Sequence, residues 1–132
     1  MAGEQILVVE DNEKNMKLLR DVLQATGYRT LEASTGGQAL MLASEHGPAL
    51  VLMDIRLPDM DGVEALRRLR MDERTASIPV LAVTAQAMKG DRERFMEAGF
   101  DGYVSKPVDI DELLTTVEQH CGGAAGNRRA RS

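Results

Sequence analysis

The chain has 132 residues, 43% hydrophobic and 28% charged, with a formal net charge of −5, which is the size of one single-core domain and the composition of an ordinary globular protein. Its apolar runs reach about five residues against the roughly 20 that a bilayer span requires, and no basic segment followed by a long apolar region opens it. Neither a membrane protein nor a secretory signal is expected, and the expected compartment is the cytoplasm.

One cysteine, Cys121, excludes an internal disulfide and a Cys-based zinc cluster. Setting aside the three arginines of residues 122–132 leaves 13 basic and 21 acidic residues, a balance of −8. Such an acidic body is a poor general nucleic-acid surface.

In chain order, the apolar run QILVVE (5–10) reads as a strand that ends on Glu10 and Asp11. Met16, Leu19, Val22 and Leu23 recur at helical spacing, and Gly27 stands where that helix should stop. YRTLEA (28–33) is a weaker strand, followed by a helix through Ala39, Leu40, Leu42 and Ala43. ALVLMD (49–54) is apolar on both faces and ends on Asp54. In the turn LPDMDG, Asp59 and Asp61 read as turn residues and Gly62 as a permissive backbone position. A helix through Val63, Leu66 and Leu69 leads to the strand IPVLAVT (78–84), closed by Thr84. Phe95, Met96 and Ala98 mark a helix stopped by Gly99, with Asp91, Arg92, Glu93, Arg94 and Glu97 as its solvated face. GYVS (102–105) is the fifth strand, followed by Lys106 and Pro107 and a last helix through Ile110, Leu113, Leu114 and Val117. Met16, Met41 and Met96 read as core filler.

Five strands alternating with five helices predict an α/β fold, a parallel sheet built from right-handed crossovers with helices on both faces. The expected arrangement is a flavodoxin-like three-layer sandwich with strand order 2-1-3-4-5, whose ligands bind at the carboxyl ends of the strands. One domain is expected over residues 4–121. Residues 122–132 carry no apolar period and are expected to be a disordered basic tail. Met1 and the short tail favour a whole gene product.

In that order the first and third strands are neighbours, so Glu10, Asp11 and Asp54 converge. Crowded carboxylates repel unless a cation offsets them, and an all-oxygen set suits Mg²⁺ rather than zinc. Thr84 and Lys106 close two further strand ends. A phosphoryl group on Asp54 would need a metal, an ammonium and a hydrogen-bond donor on its oxygens, and an aspartate can act as nucleophile to form an aspartyl phosphate. The plainer reading, loop acids capping helices, leaves Thr84 and Lys106 at the same edge unexplained.

With ILVVEDN, LVLMDIRLPDMDG, VLAVTA and GYVSKP in this order, the chain resembles the receiver domain of two-component response regulators over roughly residues 4–121. Within that family, VEDNEKNMKLLRDVLQATGY and AMKGDRERFMEAG look like single-domain cell-division regulators and like receivers fused to hybrid histidine kinases, although Gln86 departs from the Phe or His often found there. The resemblance implies that Asp54 accepts phosphate from a histidine kinase. Glu10, Asp11, Asp54 and the Arg56 main-chain carbonyl would organise Mg²⁺, Lys106 would pair with a phosphoryl oxygen, and Thr84 and Tyr103 would form the switch. The Lys106–Pro107 bond is expected to be cis.

The implied partners are a histidine kinase/phosphatase or a histidine phosphotransferase, and a downstream signalling protein docking on helix 4, strand 5 and helix 5, around residues 88–118. Nucleic acid and membrane are not expected partners. The expected state is a monomer or a weak phosphorylation-dependent dimer, and catalysis is limited to the protein's own phosphorylation and dephosphorylation. The alternatives are a phosphorelay intermediate or phosphate sink, and a haloacid dehalogenase-like phosphatase. Against the latter, the position two residues after Asp54 holds Arg56 rather than a second acid.

Overall fold

The computed structural model describes residues 3–85 and 91–120, without the side chain of Arg92. Gln86, Cys121 and the expected disordered tail 122–132 lie outside the described residues. The elements run β1 (Gln5–Val9), α1 (Glu13–Ala25), β2 (Arg29–Ala33), α2 (Gly36–His46), β3 (Leu50–Asp54), α3 (Gly62–Met71), β4 (Val80–Thr84), α4 (Asp91–Ala98), β5 (Gly102–Ser105) and α5 (Ile110–His120). All strand pairs are parallel, and the sheet order is β2-β1-β3-β4-β5, as the sequence predicts.

The three layers follow from strand alternation. On β1, β3 and β4, Leu7, Val9, Val51, Met53, Val80 and Ala82 join one core with Ala39 and Ala43 of α2, Leu66 and Leu69 of α3, and Phe95 of α4. The intervening residues Ile6, Val8, Leu50, Leu52, Leu81 and Val83 point the other way, onto Met16, Leu19 and Leu23 of α1 and Leu113 and Val117 of α5. Successive side chains leave opposite faces of a strand, so a strand covered on both sides must be apolar at every position. All five residues of β3 and of β4 are buried, and all are apolar except Asp54 and Thr84 at the carboxyl ends.

Helix ends carry their own chemistry. Asn12, Thr35 and Asp61 cap α1, α2 and α3 by accepting from Asn15 N, Gln38 N and Glu64 N, which satisfies amides that have no intrahelical partner. Gly27 (φ 106°) and Gly99 (φ 115°) adopt the left-handed conformation just after α1 and α4, where a side chain would be strained.

Two expectations need correction. Met16 is buried, but Met41 is 51% and Met96 40% exposed, so these two do not fill the core. Helical spacing identifies a residue's face, and for Met41 and Met96 that face is outward. Gly62 is not in the left-handed region. A Cβ there would instead lie 2.6 Å from the Asp54 carbonyl oxygen, so the glycine answers a need for space.

Along one edge of the sheet, where strands begin, Arg70 of α3 donates to the carbonyls of Ala76 (3.1 Å) and Ile78 (2.6 Å) and reaches the Asp101 carboxylate at 2.9 Å. The same Asp101 oxygen accepts from Val80 N at 2.8 Å. This clamp leaves the opposite edge for chemistry.

Candidate active site at the carboxyl edge of the sheet

Parallel register brings the ends of four strands together. Val9 pairs with Met53, Asp54 with Val83 and Thr84 with Ser105, so the residues following β1, ending β3 and β4 and following β5 rim one cavity of about 410 Å³. Glu10, Asp11, Asp54, Arg56, Thr84 and Lys106 line it. Asn12 and Asn15, at the start of α1, line it too, although sequence reasoning gave them no part in the pocket. Their signal was their place just after the acidic pair.

Asp54 is 5% exposed, and its two oxygens face different groups. Oδ1 accepts from the amide of Arg56 at 3.0 Å, and Oδ2 accepts from the Lys106 ammonium at 3.3 Å. Lys106 also meets Glu10 Oε1 at 2.8 Å, while Glu10 Oε2 accepts from Asn12 N at 3.2 Å. The Asp54 carboxylate is thus held by a backbone N–H on one side and a cation on the other.

Glu10 is 2% exposed. Burial pushes its carboxyl above the usual value, the neighbouring Asp54 adds to the rise, and the Lys106 ammonium opposes it. On Lys106, burial pulls the pKa down, but Glu10 and Asp54 outweigh it, and the ammonium stays protonated beyond its ordinary range.

Asp11 is exposed at the rim. One oxygen from each of Glu10, Asp11 and Asp54 can be chosen so that all lie within 4.8 Å of one another. Three carboxylates against the single ammonium of Lys106 leave an excess of negative charge among hard oxygen donors, and among the described residues no histidine or cysteine shares the cluster. That donor set fits Mg²⁺, which takes oxygen ligands and keeps part of its water shell.

Thr84 is 2% exposed, and Tyr103 is half-buried one strand away, opposite Ala82. Thr84 follows Ala82 by two positions, so it shares a sheet face with Tyr103. The Tyr103 ring stacks on Phe95 of α4, with centroids 5.9 Å apart and planes at 23°. Tyr103 therefore lies behind the cavity rather than in it. The Lys106–Pro107 peptide is cis. His46 and His120 lie outside the cavity, and His120 Nδ1 is 2.9 Å from the Thr116 carbonyl.

Asp59 does more than turn the chain. Its carboxylate accepts from Gly36 N at 2.8 Å and Gly37 N at 2.9 Å, tying the loop after β3 to α2. Its partners lie more than twenty residues upstream, beyond the reach of a local turn rule.

A doubly wound parallel sheet with an acidic pocket, a hydroxyl and a lysine at its carboxyl edge defines a receiver-type signalling domain. The chain belongs to the response regulator receiver domain family, which it matches over residues 6–118. It is 47% identical over 121 residues to the polar-differentiation response regulator DivK of Brucella ovis, covering 92% of this chain and 98% of that protein. The corresponding regulator of Brucella anthropi is 46% identical over the same length and shares. Among solved structures, the receiver domain of the sensor histidine kinase PA1611 of Pseudomonas aeruginosa is 38% identical with a TM-score of 0.83, covering 90% of this chain and 98% of that one. That structure holds a magnesium ion coordinated in its active-site cleft. The chain is accordingly a DivK-like response regulator receiver. Among the described residues, no helix is long and apolar enough to cross a membrane.

Proposed function

We propose that Asp54 is the phosphoacceptor of a Mg²⁺-dependent receiver, residues 4–121, which acts in the cytoplasm and signals through phosphorylation-dependent protein binding. The observation that carries this reading is the pairing of Asp54 with both the Arg56 amide and the Lys106 ammonium in an acidic, open cavity. Glu10, Asp11, Asp54 and the main-chain carbonyl of Arg56 would hold the magnesium. When bound, Mg²⁺ offsets the charge of the carboxylates and of the phosphoryl oxygens.

A carboxylate oxygen of Asp54 attacks the phosphorus of a phosphohistidine on a histidine kinase or phosphotransferase. A P–O bond forms as the P–N bond breaks, and the electron pair leaves on the imidazole nitrogen, which takes up a proton. Lys106 stabilises charge on one phosphoryl oxygen, and the Thr84 hydroxyl donates to another. Thr84 and Tyr103 share a sheet face, and movement of Thr84 toward the phosphoryl group gives Tyr103 room to turn inward. Tyr103 stacks on α4 through Phe95, so this rearrangement reaches the surface of α4, β5 and α5, where a downstream signalling protein docks.

Intact-mass spectrometry after incubation with acetyl phosphate tests the chemistry. The expected result is a Mg²⁺-dependent, hydroxylamine-labile adduct that disappears in Asp54→Asn. An adduct that persists in Asp54→Asn would defeat the assignment.

The 38% identity to a receiver carried by a sensor histidine kinase favours a second reading, a relay that passes phosphate on to another histidine. Back-transfer of labelled phosphate from this chain to a histidine phosphotransferase separates relay from terminal switch.

A further inference from the structure

The loop between β3 and α3 spans residues 55–61 and carries Arg56, whose carbonyl belongs to the proposed cation site. Its near end is tightly fixed. Arg56 N donates to Asp54 Oδ1 at 3.0 Å, Arg56 bridges Asp61, and Gly62 N donates to the Ile55 carbonyl at 2.7 Å. Its far end is held by Asp59, whose carboxylate spans the first two amides of α2.

The receiving helix is built for this contact. Thr35 Oγ1 accepts from Gln38 N and Gln38 Oε1 accepts from Ser34 N, so these two side chains serve other amides and leave those of Gly36 and Gly37 to Asp59. A Cβ at position 36 would fall 2.6 Å from Met60 Cγ, and one at position 37 would fall 3.5 Å from Asp59 Oδ2. Gly36 therefore lets the Met60 side chain of the loop lie against the helix start, whereas position 37 has room for a Cβ at ordinary contact distance. Those two backbone bonds hold the Asp59 carboxyl below the usual carboxylate value, so the cap carries its charge at neutral pH.

We propose that Asp59 is a positioning residue for the acidic pocket: by bridging the amides of Gly36 and Gly37 it holds the Arg56 loop in place and so sets the pocket's affinity for a divalent cation. This rests on the metal reading of Glu10, Asp11 and Asp54 given above. Asp59 does not touch the cation. It acts through the loop backbone, one step further out than the direct hydrogen-bond partners of metal ligands, whose loss typically weakens binding about 10- to 100-fold, so an effect no larger than the lower figure is expected.

The test is calorimetric titration of the full, metal-stripped chain with Mg²⁺, paired with urea unfolding, for wild type, Asp59→Ala, Asp59→Asn and Thr35→Ala. Thr35→Ala removes a cap from the same helix while leaving the loop tied, so it reports a purely structural effect. Expected is a fall in Mg²⁺ affinity on the order of tenfold in Asp59→Ala, partial recovery in Asp59→Asn through its one acceptor oxygen, and wild-type affinity in Thr35→Ala despite lower stability. Unchanged affinity in Asp59→Ala, or an equal fall in Thr35→Ala, overturns the proposal. A wild type that binds no Mg²⁺ overturns the metal reading with it. Should Asp59→Ala not fold, Asp59→Asn is judged against Thr35→Ala by the same criterion.

Discussion

Gly62 packs against the backbone of Asp54 so closely that a β-carbon at position 62 would stand 2.6 Å from the Asp54 carbonyl oxygen and 2.9 Å from the Ile55 α-carbon. Both neighbours are main chain in a buried strand end and cannot swing aside. Gly62→Ala is therefore expected to push Asp54 and the start of α3 apart. Overpacking of this kind costs about 1–3 kcal/mol, read as a lower urea midpoint. The displacement should also reduce the yield of acetyl-phosphate adduct at a protein concentration and temperature where the variant remains folded.

Burial raises the Glu10 pKa despite the opposing Lys106, and the sign of its effect on stability follows. Between its unfolded value of about 4.5 and its higher folded value, the native state binds more protons, so stability falls as pH rises. In EDTA, wild type should gain stability relative to Glu10→Gln as the pH is lowered from 7 toward 4.5, the reverse of ordinary acid denaturation. Urea unfolding of both proteins across that window measures it, and a constant difference would count against the burial argument.

Lys106 contributes in the same sense, in a more alkaline window. Its folded pKa is raised, so its contribution is complete below about 10.5, the ordinary lysine range, and is lost as pH climbs through the folded value. Lys106→Met should flatten the alkaline limb of the stability profile. It should also drive Glu10 to bind its proton at still higher pH, which isotope-edited infrared spectra of the carboxyl stretch would detect.

At the far edge of the sheet, Arg70 and Asp101 share work with Val80 N and the Ile78 carbonyl. Arg70→Ala strips charge-assisted bonds worth about 1.5–3 kcal/mol in favourable settings, and partial exposure puts the expected loss near the lower figure. Because both residues belong to one network, Arg70→Ala and Asp101→Ala should be non-additive by about 0.5 kcal/mol or more. Mg²⁺ affinity should not change in either, since neither lines the pocket.

Phe95 is 1% exposed and meets Phe100 edge-on at 6.0 Å and Tyr103 by stacking. Phe95→Leu keeps most of the volume but removes both ring contacts, each worth about 0.5–1.5 kcal/mol beyond burial. The expected outcome is a loss of about 1–3 kcal/mol, together with a changed tyrosine fluorescence from Tyr103 measured in a Tyr28→Phe background.

The five strands and five helices were legible from periodicity, the order 2-1-3-4-5 from the flavodoxin-like arrangement of doubly wound sheets, and the convergence of Glu10, Asp11, Asp54, Thr84 and Lys106 from the two together. Continuous apolar runs mark strands covered on both sides, and a polar residue ending such a run in a parallel sheet falls at one edge. The Asp59 cap and the Arg70 clamp were not legible. Each joins atoms from elements distant in sequence, and nothing in LPDMDG or RRLRM specifies a partner at Gly36 or at Asp101. Gly62 was marked as special for the wrong reason, since a turn glycine and a glycine excluded by a neighbouring carbonyl look alike in one dimension. For Met41 and Met96, the apolar side chain signalled the interior while the helix phase turned it to solvent.

The clamp has a practical use. Met71, 72% exposed, closes α3 beside Arg70, and because α3 runs back from the pocket rim, its last residue stands at the opposite end of the molecule. A single cysteine introduced there, with Cys121 replaced, would give an attachment point for a surface or a dye. Immobilised through it, the protein would present its acidic mouth to the solution, and cation uptake and docking partners could be followed on an oriented layer.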